Sequence, residues 1–445
     1  MLAGFQSLNP DCRGNLLKLF IAGLLFWASL TTLLPTLPLY IQSLGGTAGD
    51  IGIVMGSFAI GLLCCRPLLG RVADRRGRKL VLLIGTTSVA LSPVGYLGVQ
   101  LLASAHNAEA LPEACSQTWC WSTFASAVQP YLLSLMIALR AFHGISVAAF
   151  ALAFLAIVVD LTPVHVRGEI LGYMTLVNPV GLALGPAIGG FIQAAYGYVP
   201  LFLVSAVLGG AGFLCAASVQ ESPPLPTTDR NPEQGHYWRL LLQPAFYVPS
   251  VVLLMIGVAF GTLGTFIPLL IQSTGVPLNP GLFYTAAAIA SFTSRIVVGR
   301  ASDRWGRGVF LSLSQLFFGI AMLILVVADS TPAFLLAGAV EGFGFGMLIP
   351  MMAALIADRS QPAARGRTFS LCIAGFDLGI ACAGPILGLV ADSLGYRLIF
   401  MSAAGLVFVG LVVFVTQCNP SLHKSIGFAL GRSRDTYAVD LPSAA

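Results

Sequence analysis

Four ionisable residues lie inside long apolar runs: Arg140, His143, Glu341 and Asp377. A charge at bilayer depth costs at least ~2.5–3.5 kcal/mol on insertion scales, so each must face a partner or a cavity. Burial favours the neutral form of a carboxylic acid, and a nearby guanidinium favours the carboxylate. A solute that alters either influence therefore changes proton occupancy. Arg140 precedes Asp160 by 20 residues, about 30 Å of helix, which puts it in the outer part of its run. His143 follows it one turn along the same face. Asp377 sits near the middle of its run. It could carry a proton, bind a cation, or be a structural carboxylate bonded to a Ser or Thr. Arg66 and Arg295 lie four residues before two glycines, Gly70 and Gly299, and are expected to snorkel to an interface.

The elements that position these groups must be membrane helices. Hydrophobic residues make up 57% of the 445 residues and charged ones only 9%, too little charge for a soluble chain of this length. The apolar runs reach roughly 20 residues, enough to cross ~30 Å of hydrocarbon as helices. About twelve spans are expected, centred near Phe26, Ala59, Ala90, Val147, Val180, Leu208, Val258, Ala290, Gly319, Gly344, Gly379 and Phe408. With the N-terminus in the cytoplasm, Arg66, Arg140 and Arg295 fall within spans and Arg397 faces out. The rest of the 23 Lys and Arg residues then lie on the cytoplasmic side. The net charge of +5 is thus an orientation signal and gives no reason to expect nucleic acid. The first span is too long for a signal-peptide core and is expected to stay in place. The nine cysteines show no zinc spacing, and no metal or cofactor is expected. Cys115 and Cys120 share an external loop and could pair in an oxidising compartment.

The chain also repeats itself. Gly70-Arg-Val-Ala-Asp74-Arg75-Arg-Gly77-Arg78 recurs as Gly299-Arg-Ala-Ser-Asp303-Arg304-Trp-Gly306-Arg307, at an offset of 229. Pro38-Leu-Tyr-Ile-Gln-Ser-Leu-Gly45 recurs as Pro268-Leu-Leu-Ile-Gln-Ser-Thr-Gly275. A weaker pair follows: Asp160-Leu-Thr-Pro163 through Arg167-Gly168, and Asp358 through Pro362 to Arg365-Gly366. Two related membrane halves follow from this. The expected organisation is an N-terminal half at 1–219, a proline-rich linker at 220–242, a C-terminal half at 243–418 and a tail at 419–445 with no assigned activity. The fold class is all-α, with two pseudo-symmetric six-helix bundles. No G-x-x-x-x-G-K-[ST] phosphate loop is present, so ATP is not expected as the energy source.

The repeated loop resembles the signature loop of the major facilitator superfamily, and span count, repeat and linker agree over nearly the whole chain. The resemblance implies gating loops. Asp74 would dock near Thr368 and Asp303 near Glu169, with Arg75, Arg78, Arg304 and Arg307 completing a charge network. Gly70 and Gly299 would allow a turn or a close helix approach. The fifth span carries Gly172, Gly181, Gly185, Pro186, Gly189 and Gly190. This pattern resembles the antiporter motif of drug:proton exporters in the superfamily. Physically it reads as a packed helix, kinked at its proline. Arg140-Ala-Phe-His143-Gly144 resembles the superfamily's motif in the fourth span, with His143 where glutamine is common. Aligning Asp160 with Asp358 places His143 opposite Glu341. Since the superfamily lines its cleft with spans 1, 4, 7 and 10, Arg140, His143 and Glu341 are expected to share one site. Phe20, Phe26, Trp27, Phe260, Phe266 and Tyr284 could line an apolar surface.

The resemblance implies a secondary transporter of the plasma (inner) membrane, with both termini cytoplasmic. It would be a monomer in a lipid bilayer, exchanging protons for small organic molecules and exporting them by alternating access. The alternatives are an uptake carrier for sugars, organic acids or peptides on the same scaffold, and, remotely, an integral-membrane enzyme or sensor. No zinc-protease motif or nucleophile constellation supports the last.

Overall fold

The structure is a computed structural model and describes residues 8–107, 131–163, 166–220, 239–361 and 364–439. Cys115, Cys120 and most of the proline-rich linker lie outside these residues. Fifteen helices run through the described residues. In the first half they are α1 (Pro10–Thr32), α2 (Leu37–Ser43), α3 (Ala48–Arg76), α4 (Arg78–Asn107), α5 (Leu132–Leu161), α6 (Arg167–Met174), α7 (Val177–Tyr196) and α8 (Tyr198–Ala217). In the second half they are α9 (Pro244–Thr274), α10 (Pro280–Trp305), α11 (Arg307–Val327), α12 (Thr331–Asp358), α13 (Arg365–Leu394), α14 (Tyr396–Gln417) and α15 (Leu422–Ala429). They supply 12 segments long and apolar enough to cross a membrane, and each contains one of the expected centres.

The chain divides into two compact units. One is Met1–Leu225 with Asn279–Leu282, and the other is Pro226–Leu278 with Phe283–Ala445. Within each unit the same helix pairs form. In the first, α1 packs on α7 and α8, and α4 on α5 and α8. In the second, α9 packs on α13 and α14, and α11 on α12 and α14.

Local chemistry sets the helix ends. Thr47 caps α3 through its hydroxyl, which accepts from the Asp50 amide at 3.1 Å, while Asp50 accepts from the Thr47 amide at 3.0 Å. Gly77 (φ 96°) separates α3 from α4, and Gly306 (φ 84°) separates α10 from α11. Only glycine takes this conformation without strain, which explains its place in both repeated loops. Prolines break two spans. Pro35 and Pro38 cannot donate to the carbonyls four residues back, and the chain leaves helix between Thr32 and Leu37. The fifth span breaks between Met174 and Val177, four residues upstream of Pro179. α7 continues as one helix through Pro186.

The tail is folded. α15 packs on α14 and α11, and the segment after it returns to the end of α12, where the Val439 amide donates to the Asp358 carbonyl at 2.9 Å.

Candidate functional site

His143 is fully buried and Arg140 is nearly so. An Arg140 Nη1 donor lies 3.4 Å from His143 Nδ1, and the Tyr96 hydroxyl of α4 lies at the same distance. A guanidinium cannot accept, so Nδ1 is the acceptor in this arrangement and the imidazole proton sits on Nε2. That Nε2 is buried without a hydrogen-bond partner, as is Arg140 Nε. Phe58 of α3 closes the cluster. Its ring lies 4.5 Å from the Arg140 guanidinium carbon and meets the imidazole edge-on at 5.7 Å. The result is a compact cationic centre in the first unit with two unsatisfied donors. Such groups are costly in an apolar interior and are common at sites that take a ligand or a proton.

Glu341 on α12 is 5% exposed and Asp377 on α13 is 7% exposed. Each has an aromatic residue close by in sequence. Phe345, one turn after Glu341, stacks on Phe260 of α9 at 4.5 Å, and Phe376, next to Asp377, lies 5.5 Å from Phe260. Phe260 and Phe345 are only half-buried. The first unit has a related stack, Phe26 on Phe150 at 3.9 Å, but there both rings are sealed. Of the other aromatics considered from sequence, Phe266 is fully enclosed, Tyr284 is buried, and Phe20 and Trp27 are half-buried.

The two centres share a packing feature, each within its own unit. His143 and Glu341 are each followed by a glycine, and at each a neighbouring helix passes in backbone contact. A Cβ on Gly144 would collide with the Phe58 carbonyl, and one on Gly342 with the Ala287 carbonyl. Gly144 and Gly342 are 198 residues apart, and Phe58 and Ala287 are 229 apart. These are the offsets of the two repeated loops, so the duplication extends to the close packing beneath each ionisable residue. The signal was the glycine itself, but its partner helix cannot be read from spacing.

The repeated loops form matching ion pairs. Arg78, in the first turn of α4, bonds Asp160 at the end of α5 and donates to the Ala156 carbonyl at 3.0 Å. Arg307, in the first turn of α11, pairs with Asp358 at the end of α12 at 3.0 Å. Arg167 donates to the Thr162 carbonyl and Arg365 to the Ala357 carbonyl, both at 3.2 Å. Each arginine set thus meets carbonyl groups at a helix C-terminus, where cations are favoured. Asp74, Arg75 and Arg304 are exposed, and the Asp303 side chain lies outside the described residues. Gly299 lies within α10. Gly70 serves neither a turn nor a close approach: it is helical, and a Cβ there would meet only Leu152 Cδ1 at 3.8 Å.

The glycine-rich α7 lies on α1. A Cβ at Gly181 would strike the Trp27 side chain, at Gly185 the Thr31 hydroxyl, and at Gly189 the Thr32 carbonyl. Thr31 also donates to the Gly181 carbonyl at 2.9 Å. Gly190 meets the Asn279 amide of the same unit, and Pro186 is buried. Gly172 departs from this pattern: it lies in α6, before the break, with open space around it.

A sequence model of the Major Facilitator Superfamily matches residues 19–307 and 279–432, nearly the whole chain. The chain belongs to the Major Facilitator Superfamily. The quinolone resistance protein NorA of Staphylococcus aureus (strain MSSA476) is 22% identical over 392 residues, 86% of this chain and 93% of that protein. The staphylopine export protein of S. aureus (strain Mu50) is 22% identical over 428 residues, 92% of this chain and 98% of that one. Among solved structures, the nucleoside transporter NupG matches with TM-score 0.67 at 15% identity, covering 90% of this chain and 99% of that one. A D-xylose–proton symporter matches with TM-score 0.66 at 18% identity, covering 90% and 97%. The superfamily fold accounts for the twelve spans, the repeat and the paired loops. The protein is a multi-pass membrane transporter.

Proposed function

We propose that this superfamily member exports small organic molecules in exchange for protons, by alternating access. One observation carries the reading: Glu341 is a carboxylate 5% exposed within a membrane span, on a helix whose Phe345, one turn on, is half-buried against Phe260 and suits an apolar or amphipathic solute. A carboxylic acid so placed can hold a proton in one state and release it in another. Arg140 and His143 provide a second, cationic centre, and Asp377 a second carboxylate. The glycine face of α7 on α1 supports exchange without leak. Relatives named for quinolone resistance and for staphylopine export favour the outward direction. The solved uptake carriers share the fold, and fold alone sets no direction. In this reading both termini are cytoplasmic, the membrane is the plasma (inner) membrane, the protein acts as a monomer, and no enzymatic activity is involved. The pairs Arg78–Asp160 and Arg307–Asp358 act as gating contacts.

The test is a substrate screen in inverted vesicles with a pH-sensitive dye inside. Export predicts solute uptake into the vesicles coupled to proton release, and loss of both when the gradient is collapsed. Accumulation unaffected by that collapse would refute proton coupling.

A further inference from the structure

α15 shows three faces. Ser425, Phe428 and Ala429 are buried against the protein. Leu422, Ile426 and Leu430 repeat at four-residue spacing and are exposed, at 58%, 37% and 55%. His423 and Lys424 are exposed on the remaining side. The helix lies at the depth of the span ends. Phe428 packs on Phe414, three residues inside the end of α14, with ring centroids 6.3 Å apart. Ser312, five residues into α11, donates to the Ala429 carbonyl at 3.3 Å. At ~1.5 Å per residue these contacts lie roughly 5–8 Å inside the ends of two membrane helices. Interfacial helices sit ~5–10 Å into the headgroup and acyl boundary.

The chain then turns at Gly431 (φ 73°). The Arg432 and Ser433 amides donate to the Gly427 carbonyl at 2.7 and 3.2 Å, and the Ser433 hydroxyl donates to the Lys424 carbonyl at 3.1 Å. This folds exposed Arg432 and Arg434 back beside Lys424. The acidic residue of the described tail, Asp435, is turned inward onto Arg359. The outward charge of the tail is therefore basic.

We infer that the folded tail is a lipid-docking element. Leu422, Ile426 and Leu430 enter the acyl boundary of the adjoining leaflet, and Lys424, Arg432 and Arg434 bind the phosphates of anionic lipid headgroups. Depth and charge together select this partner: an apolar stripe at interfacial depth, flanked by cations, matches an anionic bilayer surface. The inference requires only that α11 and α14 span the membrane, and it is independent of the transport reading.

The experiment is hydrogen exchange on the full-length protein in nanodiscs of phosphatidylcholine alone and of phosphatidylcholine with phosphatidylglycerol. Amides of residues 422–434 are expected to exchange at least about threefold more slowly in the anionic bilayer. The Lys424→Glu/Arg432→Glu/Arg434→Glu variant should lose that difference. It should keep protection of the Val439 amide, which reports that the tail is still folded on Asp358. A Leu422→Ser/Ile426→Ser/Leu430→Ser variant should exchange faster in both bilayers. Equal exchange of the unaltered protein in the two bilayers would overturn the inference. So would equal protection by inorganic phosphate in neutral micelles, or protection that depends on protein concentration, as a second copy would give.

Discussion

The two halves end alike at their repeated loops, except in one place. In the first half Arg78 binds Asp160 at the end of α5. In the second Arg307 binds Asp358 at the end of α12. The next residue differs. At position 161 the first half has leucine, whose carbonyl accepts from Cys12 Sγ at 2.9 Å. At the equivalent 359 the second half has an arginine whose side chain is fully buried. Arg359 Nε and Nη2 donate to the two Asp435 oxygens at 2.7 and 3.0 Å, Nη1 to the Ala245 carbonyl at 2.8 Å, and Nη2 to the Cys418 carbonyl at 2.9 Å. Burial alone would pull its pKa down; Cys418 and Asp435 outweigh that and hold it above its ordinary value. Both halves share the loop contacts, and the second half has in addition an anchor that holds the tail. An ion pair made at two equivalent places belongs to what the halves share. One made at a single place belongs to what a half does by itself.

Six substitutions test this comparison, and the largest effects fall on the shared packing. Gly144→Val or Gly342→Val forces a side chain into a neighbouring backbone. Overpacking costs about 1–3 kcal/mol even where side chains can shift, and here carbonyl groups must move. Both variants should lose transport and melt at lower temperature in a thermal-shift assay, to a similar degree. If only one fails, the equivalence of the two contacts is wrong. Asp160→Asn and Asp358→Asn come next. Each removes a charge-assisted hydrogen bond worth about 1.5–3 kcal/mol, so transport rates should fall about ten- to a hundredfold while membrane expression holds. Normal rates in both would remove the pairs from gating.

Asp435→Asn should act on one half only. Leaving a buried charge unpaired costs about 3–5 kcal/mol, more than the tail can sustain, so the tail should detach while transport stays within about twofold of normal. Burial now pushes the Cys418 thiol up to about 11, against the pull of Arg359. Its alkylation at neutral pH, followed by peptide mass spectrometry, should be slow and should speed up in the variant. Unchanged labelling would place the anchor elsewhere. The smallest effect is expected at Gly70. Its surroundings are open, so Gly70→Ala should leave transport intact and stabilise α3 by up to ~1 kcal/mol, read as a raised melting temperature. A loss of transport there would mean that the loop glycine serves a second conformation.

The spans and the repeat were legible because both are written in local composition: apolar runs of bilayer length, and a charged loop used twice. The ionisable residues were legible for the same reason, since a charge in an apolar run is conspicuous. Packing was not. Nothing in the spacing around Gly144 or Gly342 says which carbonyl will pass there. The break before Val177 went unread because proline alone does not announce one: Pro179 lacks the amide that would have bonded the Thr175 carbonyl, yet Pro186 lacks its amide too and α7 continues through it. The anchor of the tail was hidden by distance. Arg359 and Asp435 are 76 residues apart; Arg359 lies in the weaker repeated loop, but its counterpart there is Leu161, so the repeat gives no sign of the pair.

In the proposed exchange, a carboxylate enclosed within the second half carries the proton. The direct measurement compares unaltered protein and Glu341→Gln in inverted vesicles loaded with a pH-sensitive dye, at matched protein levels. Added substrate should trigger a proton flux in the former and none in the latter, with substrate binding retained. A Glu341→Gln protein that still moves protons with substrate would contradict it.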